Sequence, residues 1–268
     1  MRQKELNGRM RSILIDWLVE VHHTFQLREA TLYLTIQLVD EYLASRRCAR
    51  DDLQLVGITC FFIASKYEEL EPIDLSDCTY VTNDTYEERD VLKAELSILQ
   101  ACDWRLTRAN PDAWISKFVA VFGGGLQEQR SAHFYLQTFL LEEDSVDFTP
   151  SVLAASACAV AFEEEEKGLV VISAAEVKRR TGYDVGSDDV DSCVGKIKSA
   201  QATFHGAVLP AAAKGADGSA KTTTKKRPLE AVWNKFHHQS PAVVDDVDSL
   251  PHCADLPHCA DLPHCADL

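Results

Sequence analysis

The chain has 268 residues, enough for one large domain or two smaller ones, and its 46% hydrophobic content suits a protein with a real core. A formal net charge of −15 argues against nucleic-acid binding, which needs clustered Lys and Arg, and suits a basic protein partner. No run of about 18 apolar residues occurs, so no membrane-spanning helix is predicted, and the opening "MRQKELNGRM" lacks the apolar centre of a secretory signal. Nuclear and cytoplasmic residence is the default expectation. Six cysteines (Cys48, Cys60, Cys78, Cys102, Cys158 and Cys193) lie scattered in apolar helical runs without CxxC spacing, and read as small buried hydrophobes rather than a disulfide framework.

Strand signals are nearly absent, and helical periods follow one another through residue 205. The first helix is predicted over residues 8–27 and contains "MRSILIDWLVEVH". At about 100° per residue, Met10, Ile13, Leu14, Trp17 and Val21 share one arc. Ile15, Leu18 and Val19 form a second, with Arg11 and His22 inside it, leaving Ser12, Asp16 and Glu20 as a polar seam. A surface helix needs one apolar stripe, a little over about 100° wide; this helix has two.

"ATLYLTIQLVDEYLAS" spaces Leu32, Ile36, Val39 and Leu43 as a second helix, and "RDDLQLVGITCFFIASKYEE" is apolar almost all round, as in the middle of a bundle. After a turn at "ELEPID", Asp84-Thr85-Tyr86-Glu87 reads as a capping box opening a long helix to Cys102, with Leu92, Leu96 and Leu99 as its core face. Asn110-Pro111 marks a break, Asn as cap and Pro in the first turn. Five further helical segments follow, and the small-residue helix around Cys158 lies 98 positions after the one around Cys60. The expectation is an all-α protein of two tandem five-helix modules, residues 1–108 and 109–205. Residues 206–227 read as a flexible basic linker, 228–240 as a short helical segment, and 241–268 as a low-complexity tail with three "LPHCAD" repeats.

The stretches "MRSILIDWLVEVH", "LREATLYLTIQLVDEYL", "LQLVGITCFFIASKYEE" and "YVTNDTYEERDVLKAELSILQACDWRL", in that order, resemble the cyclins, and among them the A/B-type mitotic cyclins. The resemblance is close over residues 8–110 and weaker over 111–205 and in "AVWNKFHH". It implies paired cyclin boxes and a non-catalytic regulatory subunit that binds and activates a cyclin-dependent kinase through its PSTAIRE-type helix, in G2/M control. It also implies that Lys66 and Glu95 hold that helix, with Tyr67, Leu99, Trp104 and Leu106 as the apolar part of the interface. A fixed helix keeps its Glu paired with the ATP-binding Lys of the kinase. Offset by 98 residues, Lys66 becomes Glu164, so only the first module is equipped to bind.

The resemblance further implies that Met10, Ile13, Leu14 and Trp17 form an exposed dock for Arg-x-Leu peptides, with Leu53 and Gln54 at its edge and Glu20 meeting the peptide Arg. On that reading one arc of the first helix is core and the other a docking surface, as exposed apolar patches usually are. Arg11 is expected to pair with Asp40. Mitotic cyclins carry a degradation signal in an N-terminal arm, which is expected to be missing from this sequence; Arg-x-x-Leu at 11–14 and 50–53 lies in predicted packed helices instead.

No catalytic Ser/His/Asp or Cys/His set, phosphate loop or HExxH motif is present, so no enzyme and no cofactor is expected. "EEEE" at 163–166 reads as a solvated helix end, because consecutive carboxylates point in different directions. The tail residues His252, Cys253, His258, Cys259, His264 and Cys265 are soft ligands by chemistry, but no metal site is expected, since zinc sites carry a fold around them. "KKRP" at 225–228 resembles a nuclear-import run. The rival reading is a transcription initiation factor with paired cyclin-like modules, which needs a basic face. Residues 1–205 carry 21 Lys/Arg against 34 Asp/Glu, while residues 206–240 carry six against two.

Overall fold

The computed structural model describes residues 3–164, 172–212 and 231–237. All regular structure among these is helical, in two compact units divided between Asp112 and Ala113. The division falls beyond the expected boundary at 108/109 because residues 108–110 are tied to the second helix of the first unit. Arg108 pairs with Glu41, Gln37 Nε2 donates to the Ala109 carbonyl at 3.0 Å, and Asn110 Nδ2 donates to the Ala30 carbonyl at 2.9 Å.

The first unit contains α1 (Gly8–Thr24), α2 (Glu29–Ser45), α3 (Leu53–Glu68), α4 (Leu75–Val81) and α5 (Glu88–Ala101). Asn7 caps α1, its Oδ1 accepting from the Met10 amide at 3.0 Å. The helix stops at Thr24, three residues short of the expectation, because Gln26 takes the left-handed conformation, φ 52°. α3 packs against α1, α2, α4 and α5, which explains a sequence with almost no polar side. The space between α1 and α3 is tight: a Cβ on Gly57 would stand 2.7 Å from Leu14 Cδ1.

The N-terminus of α5 departs from the expectation. Asn83 and Asp84 both take left-handed backbone, φ 53°, so Asp84 sits in the turn after α4 rather than at a cap. The capping box is one turn later: Glu87 is the N-cap, and its amide donates to Asp90 Oδ2 at 3.3 Å. The core face of α5 is Val91 and Ile98, followed by Cys102, all fully buried. Leu92 and Leu96, expected in the core, are 48% and 50% exposed.

The second unit contains α6 (Pro111–Phe122), α7 (Leu126–Leu140), α8 (Pro150–Glu164), α9 (Ala174–Thr181), α10 (Ser187–Ala212) and α11 (Ala231–His237). Asn110 Oδ1 accepts from the Asp112 amide at 3.0 Å, so the expected Asn-Pro start of α6 is present. α8 packs between α7 and α10, where its small residues allow close approach. α10 continues through residues 206–212, the first seven of the predicted linker; the rest of that linker and the "LPHCAD" tail lie outside the described residues. α11 is anchored on α7: Arg130 Nη2 donates to the Phe236 carbonyl at 2.8 Å, Lys235 Nζ to Gln137 Oε1 at 3.1 Å, and the Phe134 and Phe236 rings meet edge-on at 5.5 Å.

Gly124 joins α6 to α7 where a Cβ would stand 2.6 Å from Phe162 Cζ and 3.0 Å from Val119 Cγ1. Gly124 is outside any helix, so alanine brings no gain in helix propensity. Gly124→Ala is expected to destabilise the second unit by about 1–3 kcal/mol, as overpacking does. Urea denaturation followed by circular dichroism checks this; an unchanged midpoint would mean that Phe162 moves aside freely.

Candidate functional site

The six cysteines carry no site chemistry. All are buried free thiols, and burial pushes Cys48 and Cys78 up to about 12 and Cys193 up to about 11, with Cys60, Cys102 and Cys158 raised for the same reason. Among the described residues no group of three or more His, Cys, Asp or Glu could hold a metal ion. Glu163 of the acidic run is paired with Lys198 Nζ at 2.7 Å. Glu164, the counterpart of Lys66, closes α8, and its side chain lies outside the described residues, as do the tail His and Cys.

Lys66 and Glu95 meet. Lys66 is the last-turn residue of α3, and Glu95 lies mid-way along α5, so the packing of those helices brings ammonium and carboxylate into a direct ion pair. The Lys66 ammonium also stands 3.9 Å above the Phe62 ring. The pair stays accessible, with side chains 39% and 17% exposed. Next to Lys66 in the chain, Tyr67 is exposed, and its hydroxyl is 2.7 Å from Thr107 Oγ1. Trp104 is 62% exposed and lies in a left-handed turn with Asp103, φ 59° and 51°, while Leu99 and Leu106 are half-buried. Leu92 and Leu96, one turn before and one residue after Glu95, were not expected at the surface. Their outward face leaves no local sequence signal, because α5 carries large aliphatic residues at both its core-facing and solvent-facing positions.

The expected dock on α1 is different. Leu14, Trp17 and Leu53 are buried to 1% exposure or less, whereas Met10, Ile13 and Gln54 keep only 7–9%. The arc assigned to an exposed dock is therefore core, because α3 covers it at Gly57. Asp16, assigned to the polar seam, is fully buried as well, and Glu20 is half-buried. Arg11 and Asp40 are brought together: Arg11 Nε donates to Asp40 Oδ1 at 2.6 Å and Nη2 to Oδ2 at 2.8 Å, a two-pronged pair from α1 to α2. The Arg11 side chain is almost completely buried.

Four helices around a central α3, with a second helical unit following, form the frame; residues 1–107 match the family model described as "Cyclin, N-terminal domain". Residues 1–107 are thus a cyclin N-terminal domain. The chain's cyclin relatives include Cyclin-B1-3 of Arabidopsis thaliana, 43% identical over 155 residues, which are 58% of this chain and 37% of the relative. G2/mitotic-specific cyclin-B of Arbacia punctulata is 36% identical over 156 residues, 58% of this chain and 38% of that protein. The chain thus spans little more than a third of the length of these cyclins. Among solved structures, a viral cyclin from herpesvirus saimiri superposes with a TM-score of 0.64 at 19% identity, over 74% of this chain and 88% of the viral one, a likeness of fold.

Proposed function

We propose that this chain is a cyclin, a regulatory subunit that binds and activates a cyclin-dependent Ser/Thr kinase in G2/M control, without catalysing a reaction itself. The observation that carries the reading is the accessible Lys66–Glu95 ion pair, set beside the exposed Tyr67 and Trp104. A surface ion pair contributes little to the fold, and large exposed aromatics beside it suit a protein interface. The relatives, which are mitotic cyclins, support the cell-cycle setting. A PSTAIRE-type helix resting on this surface would have its backbone met by the Lys66 and Glu95 side chains.

Lys66→Ala combined with Glu95→Ala is expected to weaken kinase binding at least tenfold, since charge-assisted hydrogen bonds are worth roughly 1.5–3 kcal/mol each. Helical content should be unchanged. The check is the Kd for a PSTAIRE-type kinase by calorimetry, with kinase activity measured alongside; full activation by the double variant would end this reading.

Recruitment of Arg-x-Leu substrates is the finer part of the proposal. What supports it is a rim of Met10, Ile13 and Gln54, which keep 7–9% exposure, over a buried floor of Leu14, Trp17 and Leu53, with the half-buried Glu20 on the same helix. Titration with an Arg-x-Leu peptide tests it, and absence of saturable binding would remove it. Nuclear and cytoplasmic residence is proposed on the "KKRP" run at 225–228, which lies outside the described residues.

A further inference from the structure

The loop joining α2 to α3 lies at the opposite end of α3 from Lys66, about 20 Å along the helix. It is pinned from one side. Gln3 Nε2 donates to the Leu43 and Arg46 carbonyls, both at 2.6 Å, and Gln3 Oε1 accepts from the Cys48 amide at 3.1 Å. Cys48 is buried, and the Tyr86 hydroxyl donates to the Asp51 carbonyl at 2.6 Å. Arg46 and Ala49 have extended backbone, with ψ of 149° and 158°. Gln3 therefore bonds to residues 46 and 48 as a neighbouring strand would, and the amide and carbonyl of Arg47 belong to the other edge. Arg46 and Arg47 are exposed. Among the described residues, the guanidinium groups of both, and the Arg47 amide and carbonyl, have no hydrogen-bond or ion-pair partner. The nearby carboxylates are placed elsewhere: Glu41 pairs with Arg108, Glu5 and Asp52 act on the Cys48 thiol, and Asp51 lies in the turn Arg50–Asp52.

We infer that residues 46–49 seat an extended acidic segment of a partner protein. Its main chain pairs with the N–H and C=O of Arg47, and its Asp or Glu side chains take the guanidinium groups of Arg46 and Arg47. Three arguments select this occupant. Two adjacent cations without counter-charge, on a chain of net charge −15, are complementary to carboxylates. Both are Arg, whose planar fork of donors matches a carboxylate in two bonds. An open main-chain edge held in extended form is the surface to which an extended peptide adds as a strand. A nucleic acid fits less well, because its backbone would run from the two Arg onto a surface of like charge. The seat shares no residue with the Lys66–Glu95 surface and stands independently of the kinase-binding reading.

The experiment titrates the full chain with a short labelled peptide of alternating Asp and Thr and reads Kd from fluorescence anisotropy. Saturable binding is expected, weakening at least tenfold between about 0.05 M and 0.5 M salt as the charges are screened. Arg46→Glu with Arg47→Glu should raise Kd at least tenfold without moving the melting temperature, because neither side chain holds the fold. Arg46→Lys with Arg47→Lys keeps the charge but loses the fork, and should raise Kd several-fold. A peptide N-methylated at alternate residues, and so unable to donate those N–H groups, should bind at least tenfold more weakly. Lys178→Glu with Arg179→Glu reverses two exposed cations of α9 and should leave Kd within twofold of the parent. An equal loss in that variant, no saturable binding by the parent chain, or tighter binding of an oligothymidine at the same two Arg would overturn the inference. Undiminished binding of the N-methylated peptide would overturn the main-chain pairing.

Discussion

Trp17→Ala is expected to unfold the first unit or to leave it marginally stable. Trp17 is completely buried in α1 and is among the largest side chains without solvent contact. Removing a buried Trp costs about 3–5 kcal/mol, against a total stability of about 5–15 kcal/mol for an ordinary domain. Leu14, one turn earlier, fills the space opposite Gly57, and Leu14→Ala should cost about 2–5 kcal/mol. The two side chains lie three residues apart on one face, so their effects will not add simply. Trp17→Phe should retain most of the stability: the indole Nε1 has no hydrogen-bond partner among the described residues, so the ring's apolar body makes the contribution. Circular-dichroism melting decides this. A melting temperature unchanged in the Leu14→Ala, Trp17→Ala double variant would mean that the arc faces solvent, as a peptide dock would.

Arg11→Ala is expected to cost about 3–5 kcal/mol by a different route. The guanidinium is buried while its partner Asp40 keeps some solvent contact, and the two hydrogen bonds between them link α1 to α2. Removing Arg11 leaves the Asp40 carboxylate without its counter-charge beside the core, a loss larger than the net worth of the pair. Asp40→Ala should be at least as costly, because it strands a charge that lies deeper. Replacing both together, Arg11→Met with Asp40→Leu, should recover much of the loss, since apolar residues of similar size can occupy such a site at little cost. A double-mutant cycle in urea denaturation measures the coupling. No coupling would mean that the two side chains do not meet in solution.

The helix order of the chain was legible from sequence because it depends on short-range physics. α2 and α3 declare themselves by period, Asn110-Pro111 opens α6 by capping chemistry, and the buried Cys positions follow from their apolar neighbours. The resemblance paired Arg11 with Asp40, 29 residues apart with no local pattern to join them, and the structure brings them together; it assigned Lys66 and Glu95 to one kinase helix, and their direct ion pair with each other is a finding of the structure. Other features required the assembled units. Periodicity groups Met10, Ile13, Leu14 and Trp17 on one face of α1, but a face is buried or bare only by what packs on it, and α3 covers this one. The same limit applies in reverse to Leu92 and Leu96, which are as apolar as core residues but stand half exposed.

The start of α5 shows the same division on a smaller scale. Asp84 and Glu87 both carry a carboxylate able to cap a helix, and the cap falls to Glu87 because the turn that closes α4 takes Asp84. That turn is built by Asn83 and Asp84 together, two residue types that tolerate positive φ. Sequence alone determined which segments are helical and which residues share a face. Tertiary packing decided which faces are covered, because burial depends on neighbours that are distant in the chain.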